Sequence, residues 1–257
     1  MIEQIGYALG DGRKDLWLLT KEALKDLHSS PIAGVIAATF SNPDRFPSLA
    51  VRIAAEFGLP KGTPAFDLQM ACSAYPYAAY LAGRLAADTG KKVLVVNGDC
   101  QLGLVDKSDH ATGSIFSDAV TCSVVSADLQ NESTFDFLSA YDTALQCSAA
   151  GPIHMDGMKV FTFVATEVRE FLKDFLAASS IPDGSFFVPH QAQPYMIRQL
   201  AKSLNLESRL VTLDEALANP GGCSIPLTLA MREVKGIALI AGFGAGYSAA
   251  AGIVKVL

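Results

Sequence analysis

Two stretches of this sequence follow the same order of elements, and they begin about 150 residues apart. In each, the pattern predicts a helix, a strand, a loop and a second helix, followed by a small-residue turn that carries Cys-Ser. Each turn opens a further helix, which leads into an apolar strand. Matched elements in the same order indicate an internal duplication, so the chain is expected to fold as two similar α/β halves. The matched parts are 18–60 with 168–208, the turns 70–73 with 221–224, and the strands 91–99 with 235–244.

The composition suits such a multilayer fold and excludes several classes of protein. Half of the 257 residues are hydrophobic, as expected where central elements are buried on both faces. The apolar run 237–254 contains several glycines and a serine, and it is interpreted as buried strands rather than as a membrane span. The net charge is −6 and no basic block occurs, so nucleic acid is not expected as a partner.

The N-terminal sequence and the cysteines predict a cytoplasmic protein. Residues 1–15 contain no apolar segment typical of a signal peptide, and no membrane partner is expected. The five cysteines are odd in number, widely spaced and without a CxxC pair, which favours reduced thiols over a disulfide framework or a zinc site.

Cys72 is the strongest candidate nucleophile. It follows a predicted strand at 65–70, which looks buried, and it precedes an alanine-rich helix. At a helix N-terminus the dipole and the unpaired N–H groups lower the pKa of a thiol, so Cys72 is expected to favour the thiolate. The alternative is a buried cysteine that only fills space. Cys223 also opens a helix and ranks below Cys72. The cysteines assigned to the core are Cys100, Cys122 and Cys147.

Three further features could complete an active site. His190 lies where a strand ends and a helix begins, a place that suits an active-site base and equally a hydrogen-bonded structural histidine. Asn219 precedes a Pro-Gly-Gly turn signal, and Pro220 holds it extended, so that its amide could point at a fixed site. The glycine-rich segment 242–246 follows a strand and is either a plain tight turn or a loop whose N–H groups face a substrate carbonyl.

Six segments stand out in order along the chain: RFPSLAVRIAAEFGL, AFDLQMACSAYPYA, IHMDGMKVFTF, FFVPHQAQ, ANPGGCSIPLTLA and LIAGFGAGYSAAAGIV. Together they resemble the thiolase superfamily, and within it the β-ketoacyl-acyl-carrier-protein synthase III family, over nearly the whole chain. The resemblance implies a thiolase-like α/β fold. Its two pseudo-symmetric halves, 1–130 and 131–257, would form a five-layer αβαβα sandwich.

The resemblance also implies a role for each candidate residue. Cys72 would take an acyl group from a thioester, while His190 and Asn219 would hydrogen-bond the carbonyl of a malonyl-type extender as carbon dioxide leaves. The backbone N–H groups of Cys72 and Ala245 would form the oxyanion hole for acyl transfer. The implied function is decarboxylative Claisen condensation in fatty-acid or polyketide-like biosynthesis. Coenzyme A or acyl-carrier-protein thioesters would be the substrates, with no cofactor or metal.

A dimer is implied in the same way. Members of the family exchange a loop that ends in Phe-Pro-Ser, which matches 46–48 here, so Phe46 would close the acyl tunnel of the partner subunit. Phe161, in the segment IHMDGMKVFTF, is expected at the substrate tunnel. A homodimer is expected, and a heterodimer with a related subunit stays open.

The sequence departs from the family in the parts that grip coenzyme A. The family's first strand, with the Arg- and Trp-bearing loop after it, has no counterpart before Met1, and a nucleotide-binding arginine falls at His110. Gln193 replaces the asparagine of HQAN, and Tyr195 replaces a basic residue that helps to dock the carrier protein. The segment 220–221 has Pro-Gly in place of Thr-Ser. These differences favour donors bound to a carrier protein, or a site completed by a partner.

Two other functions stay open. The acyl group on Cys72 could pass to an oxygen or nitrogen nucleophile, with His190 as general base. The chain could also be a non-catalytic subunit of a heteromeric condensing enzyme, although retention of Cys72, His190 and Asn219 argues against that function.

Overall fold

The computed structural model describes residues 1–25, 27, 31–109, 112–128, 133–148 and 151–257. Its strands are β1 (Ile2–Leu9), β2 (Ile32–Ala38), β3 (Ala65–Leu68), β4 (Lys92–Asp99), β5 (Ala119–Val125), β6 (Thr134–Asp142), β7 (Leu145–Cys147), β8 (Ile153–Met155), β9 (Phe186–Pro189), β10 (Gly236–Gly244) and β11 (Gly246–Val256). Its helices are α1 (Leu16–Leu24), α2 (Leu49–Glu56), α3 (Ala74–Thr89), α4 (Gly157–Phe163), α5 (Arg169–Ala178), α6 (Pro194–Ser203) and α7 (Ser224–Met231). None of these helices has the length and hydropathy needed to cross a membrane.

The strands of the two halves are ordered in the same way. In the N-terminal half the order is β3-β2-β4-β5-β1, and in the C-terminal half it is β9-β10-β11-β6. In both halves the first strand pairs antiparallel with the last, β1 with β5 and β6 with β11. The inner pairs, β2 with β4 and β9 with β10, are parallel. The halves meet where β1 lies beside β11, at Ile2 and Val256, and the predicted pair of pseudo-symmetric α/β halves is confirmed.

Three large apolar cores hold the layers of the described structure together, and a fourth, small cluster lies around Cys223 and Leu227. One fills the space between α1, α2 and the N-terminal strands, and it includes Leu19 and Ile53. The second surrounds α3 and α7, which lie between the two halves of the sheet and pack on strands of both. The third lies between the C-terminal strands and helices α4, α5 and α6, and it includes Phe163 and Phe187. The layers are therefore helix, sheet, helix, sheet, helix, as the predicted five-layer sandwich requires.

Alanine determines how closely the central helix α3 packs. Ala74, Ala78, Ala82 and Ala86 recur every four residues and are all buried in the middle core. Residues four apart share one face of a helix, and a methyl side chain lets that face lie close to the neighbouring strands. The helix ends at Gly90, whose φ of +66° is the left-handed conformation typical of a C-terminal cap. This packing fixes the turn at the N-terminus of the helix.

One prediction about the sheet is wrong. The strand expected to be buried at 65–70 is the short edge strand β3, where Phe66 is 38% exposed. Another strand, β6, is not predicted from the sequence, although it forms a long antiparallel ladder with β11. Residues of β6 alternate between exposed and partly buried, so no apolar run marks the strand. The predicted boundary between residues 130 and 131 lies outside the described residues.

The expected lack of a first strand is also wrong. β1 lies between β5 and β11, and it takes the place in its half that β6 takes in the other. Residues Gly10–Asp15 connect β1 directly to α1. β1 therefore supplies the first strand of its half.

Asp67 of β3 fixes the start of α2 and the loop before it. Its carboxylate accepts hydrogen bonds from the backbone N–H groups of Leu49 and Ala50, each at 2.9 Å. Ser48 adds a cap, because its hydroxyl accepts from the N–H of Val51 at 3.2 Å. A negative charge near the first turn of a helix also interacts favourably with the helix dipole. The edge strand and α2 are held together in this way.

We expect Asp67→Ala to lower the free energy of unfolding by about 2 kcal/mol, because two N–H groups lose a charged acceptor. Urea unfolding followed by circular dichroism measures the change. Asp44→Ala removes an exposed carboxylate from the loop before α2 and is the matched control, with an expected loss below about 0.5 kcal/mol. Equal stability of the two variants would contradict the capping role.

Candidate active site

Cys72 lies on a tight turn between β3 and α3. The turn, Ala71–Ser73, is 3₁₀ in geometry, and Ala71 has a φ of +43°. This left-handed conformation is uncommon for alanine and stores strain, which concentrates at functional sites. Gly222 makes room for the turn, since a Cβ there would lie 2.6 Å from the carbonyl oxygen of Ala71. The strained turn therefore depends on a close backbone contact with a segment of the other half.

Two backbone N–H groups face the Cys72 thiol. They belong to Ala245 and to Cys72 itself, and both lie near enough to the sulfur to favour its charged form. Gly244 lies so close that a Cβ there would be 2.8 Å from Cys72 Cβ and 3.2 Å from Sγ. Gly242 packs on the next residue, where a Cβ would lie 2.9 Å from Ser73 Cα. The glycine-rich segment thus brings the Ala245 N–H to the thiol.

The thiol is the resting form of Cys72 at neutral pH. Burial, with the charge of Asp99 adding to it, raises the pKa of Cys72 to about 12, and the two N–H donors oppose this change. Cys72 is only 6% exposed. The predicted lowering of the pKa by the helix N-terminus is therefore wrong, because at this depth the loss of hydration outweighs the dipole.

Asp99, the last residue of β4, is a buried carboxylate beside the site. It accepts hydrogen bonds from the Thr39 hydroxyl at 2.7 Å and from the backbone N–H groups of Phe40 and Ser41 at 2.8 and 3.0 Å. Burial raises the pKa of Asp99 to about 6, although these hydrogen bonds lower it. Asp99 thus holds the beginning of the loop from β2 to α2, the loop that carries Phe46.

His190 lies directly after β9 and is buried as a neutral imidazole. Its Nδ1 is 2.7 Å from the Ser224 hydroxyl, and its backbone N–H donates to the Ala241 carbonyl at 2.7 Å. The ring meets Phe243 edge-on, with 5.6 Å between centroids. Burial lowers the pKa of His190 to about 4, and a smaller effect of the Gly221 backbone, which raises the pKa, opposes it. With Nδ1 engaged by a hydroxyl, a neutral imidazole can donate from Nε2.

The side-chain oxygen of Asn219 is already engaged in a hydrogen bond. Its Oδ1 accepts from the Gly221 N–H at 2.8 Å, which leaves Nδ2 as the end that can donate to a ligand. The backbone is fixed as well, because its N–H donates to the Ile115 carbonyl at 2.9 Å. Its carbonyl accepts from the Ser117 N–H at 3.0 Å and from Gln101 Nε2 at 3.2 Å. The turn signal in the sequence therefore corresponds to a turn that aims the amide.

The turn Gly221–Cys223 brings the candidate side chains together. It follows Asn219 closely, and its first residue, Gly221, lies near enough to the ring of His190 to raise the pKa of that imidazole. Its middle glycine touches the carbonyl of the residue before Cys72. Because this turn opens α7 and the Cys72 turn opens α3, the site lies where the two helix-opening turns meet.

The other cysteines differ from Cys72 in their surroundings. Cys223 is fully buried, with its sulfur 3.1 and 3.4 Å from two backbone carbonyls, and burial raises its pKa well above the usual value. Cys122 is buried in the core as predicted, and Cys100 is half-buried. Cys147 is exposed on β7, so its assignment to the core is wrong.

The remaining predicted positions lie apart from this cluster. Phe46 is 84% exposed on the loop between β2 and α2. Phe161 of α4 lines a cavity of about 190 Å³ between α4, α5 and α6, and none of the three candidate side chains lines that cavity. Gln193 caps α6 by accepting from a backbone N–H at 2.8 Å, a role in the helix rather than the site. His28 and His110 lie outside the described residues.

The sequence gives only weak signals for two residues, Ser224 and Asp99, that position candidate side chains or the loop that carries one. The pattern marks Ser224 only as the start of a helix, yet its hydroxyl contacts the imidazole of His190. The internal repeat is the signal that could have found it, because each Cys-Ser turn places a serine at the contact between the halves. Asp99 is a single aspartate after an apolar strand, and its role follows only from the loop that folds over it.

Sequence comparisons identify the family to which this chain is similar. Two profiles of the 3-oxoacyl-[acyl-carrier-protein (ACP)] synthase III family match the chain, one over residues 66–144 and the C-terminal one over residues 177–256. A β-ketoacyl-[acyl-carrier-protein] synthase III from Campylobacter concisus is 31% identical over 288 residues, which cover 99% of this chain and 86% of the relative. A synthase III from Deinococcus radiodurans is 32% identical over 86% of this chain and 72% of its own.

Solved structures share the fold. The 3-oxoacyl-[acyl-carrier-protein] synthase III of Aquifex aeolicus matches with a TM-score of 0.83 and 25% identity over 99% of each chain. The synthase III of Pseudomonas aeruginosa matches with a TM-score of 0.85 and 24% identity, over 99% of this chain and 97% of that one, so β1 has a counterpart there. The chain therefore belongs to the 3-oxoacyl-[acyl-carrier-protein] synthase III family, a family of condensing acyltransferases with the thiolase fold.

Proposed function

We propose that this protein is a condensing acyltransferase that loads an acyl group on Cys72 and joins it to a malonyl-type thioester with loss of carbon dioxide. One observation carries this function. The thiol of Cys72 has two backbone N–H groups near it, and the turn that contacts its own turn holds the neutral imidazole of His190 and the Asn219 amide. The product would serve fatty-acid or polyketide-like biosynthesis.

The first half-reaction is acyl transfer to Cys72. The sulfur attacks the carbonyl carbon of an acyl thioester, and because the thiol is the resting form, its proton leaves as the new C–S bond forms. The N–H groups of Cys72 and Ala245 hydrogen-bond the oxyanion of the tetrahedral intermediate. When the intermediate collapses, the original C–S bond breaks and the carrier thiol departs with a proton, leaving the acyl group on Cys72.

The second half-reaction is decarboxylative condensation. A malonyl-type thioester places its thioester carbonyl against His190 and Asn219, and the bond between C2 and the carboxylate breaks as carbon dioxide leaves. The electron pair forms an enolate, whose oxygen accepts hydrogen bonds from His190 Nε2 and Asn219 Nδ2; each fixed donor contributes about 3 kcal/mol. C2 then attacks the acyl carbonyl carbon, and the sulfur of Cys72 departs as a thiolate and is reprotonated.

Donors bound to a carrier protein fit this chain better than free coenzyme A. The connection between β1 and α1 is only Gly10–Asp15, where the family loop that stacks on adenine would be inserted. The names of the relatives from Campylobacter concisus and Deinococcus radiodurans specify an acyl carrier protein. Tyr195, at the position of a basic docking residue in the family, is exposed at the start of α6. The carrier protein would therefore meet one positive charge fewer on this surface of the enzyme.

Cys72→Ala should abolish acylation, because it removes the sulfur that both N–H donors face. Intact-protein mass spectrometry after incubation with acyl-carrier-protein and acyl-coenzyme A thioesters, followed by peptide mapping, detects the adduct. Cys147→Ala removes the exposed thiol and should leave the adduct in place. Acylation of another cysteine in Cys72→Ala would refute the assignment. A folded wild-type protein without any adduct would favour the non-catalytic subunit.

His190→Ala and Asn219→Ala should each slow decarboxylation of a malonyl thioester by about 10²–10³-fold, because each removes a donor to the enolate oxygen. Acylation of Cys72 should change by less than about threefold in both variants. Release of labelled carbon dioxide measures the first rate, and mass spectrometry measures the second. His154→Ala, which removes an exposed imidazole on β8, is the control. Normal decarboxylation in both variants would point instead to acyl transfer onto oxygen or nitrogen.

We also infer a homodimer in which Phe46 of each subunit enters the acyl site of the other, because so exposed a phenylalanine gains by burial in an apolar tunnel.

Phe46→Ala should raise the rate of acylation by long-chain donors relative to acetyl donors by about tenfold. Phe57→Ala, an exposed phenylalanine at the end of α2, should leave this preference unchanged. Light scattering gives the oligomeric state, and a monomeric wild type or an unaltered preference would contradict the inference.

A further inference from the structure

We propose that the hydroxyls of Ser73 and Ser248 form a buried relay that holds the Ala245 N–H over the sulfur of Cys72. The inference rests on the proposed function, in which this N–H is one of two donors to the oxyanion. Neither serine touches the reacting atoms in that scheme, so both are positioning residues.

The two hydroxyls join the halves of the molecule next to the thiol. Ser73 directly follows Cys72, Ser248 lies on β11, and their Oγ atoms are 2.7 Å apart. Ser248 Oγ lies 2.8 Å from the carbonyl oxygen of Ala245, and Ser73 Oγ lies 2.9 Å from the carbonyl oxygen of Met70. Both serines are buried, so solvent competes little for these hydrogen bonds.

The number of protons determines the direction of the relay. At 2.7 Å one hydroxyl must donate to the other, and each serine has a single hydroxyl proton. The Met70 carbonyl already accepts from the backbone N–H of Ser73 at 3.1 Å, whereas the Ala245 carbonyl receives its donor from Ser248. When Ser73 donates to Ser248, and Ser248 donates to the Ala245 carbonyl, every acceptor has a donor.

Ala245 needs such support because of its neighbours. Gly244 and Gly246 have φ values of +157° and +134°, a region that other residues rarely adopt. The glycines that permit this conformation also leave the backbone on both sides of Ala245 more flexible. An oxyanion donor is effective only while it remains within hydrogen-bonding distance of the developing charge. The N–H and carbonyl of Ala245 lie in the two peptide planes that meet at its Cα, so a bond to the carbonyl limits how far the N–H can turn. The serine relay thus supplies the rigidity that the flanking glycines lack.

The rate of Cys72 acylation by a saturating acyl thioester tests the relay in Ser248→Ala, Ser73→Ala, the double variant and Ser248→Thr. We expect Ser248→Ala to lower kcat for acylation by about tenfold with KM unchanged, and Ser248→Thr, which keeps the hydroxyl, to recover most of the rate. The double variant should be no slower than Ser248→Ala, because both hydroxyls act in one chain. Ser185→Ala, which removes a buried hydroxyl that donates to the Pro182 carbonyl, is the matched control and should acylate normally.

Two further readouts separate positioning from general damage. Decarboxylation depends on His190 and Asn219 and should stay within about twofold of wild type in Ser248→Ala. Hydrogen exchange of the peptide that covers 241–248 should be faster in Ser248→Ala and Ser73→Ala, and unchanged in Ser185→Ala.

Normal acylation in Ser248→Ala, or an equal fall in acylation and decarboxylation, would overturn the relay. If no thioester acylates wild-type protein, the proposed function fails, and the exchange measurement alone then decides whether the hydroxyls hold the turn. Unchanged exchange in both serine variants would overturn the relay whatever the activity.

Discussion

The contact between the turn that opens α3 and the turn that opens α7 sets the geometry of everything around the site. Both turns lead into the middle layer, and the missing side chain at Gly222 lets one reach the carbonyl of Ala71 in the other. A methyl group 2.6 Å from that oxygen would push the turns apart. Because Cys72 lies on the first turn while His190 and Asn219 are held by the second, such a separation would also move the nucleophile away from the two polar side chains.

The duplication provides this turn twice, and the two copies serve different ends. In each half a serine follows the cysteine of the turn where the helix begins, Ser73 in one half and Ser224 in the other. Ser224 holds the imidazole of His190, whereas Ser73 reaches across to Ser248 beside the glycine-rich segment. A shared backbone turn with divergent hydrogen-bond partners lets one half supply the nucleophile and the other the enolate donors. In this way pseudo-symmetric halves come to perform one asymmetric reaction.

The sequence predicts best those parts of the protein in which a single local signal decides the structure. The order of helices and strands and the two Cys-Ser turns follow from apolar periodicity and small residues. β6 has no such signal, because its pairing with β11 and not its own hydropathy makes it a strand. The pKa of Cys72 is a property of depth, which the local helix signal does not contain. Ser248 shows the same limit, since its partner lies 175 residues away along the chain.

Burial also determines which charges the site can carry. The pKa values of Cys72 and Asp99 are raised and that of His190 is lowered, so each group is shifted towards its neutral form. In a site of low polarity every hydrogen bond to a developing oxyanion is stronger, which favours both half-reactions of the proposed function. The same burial leaves little thiolate, so the sulfur depends on the N–H groups of Cys72 and Ala245, which favour its negative charge. In the proposed reaction these two groups act twice, first on the negative charge that develops at the sulfur and then on the oxyanion. A small displacement of Ala245 would therefore weaken two successive steps, so the close packing of Gly244 and the serine relay at the Ala245 carbonyl both favour the reaction.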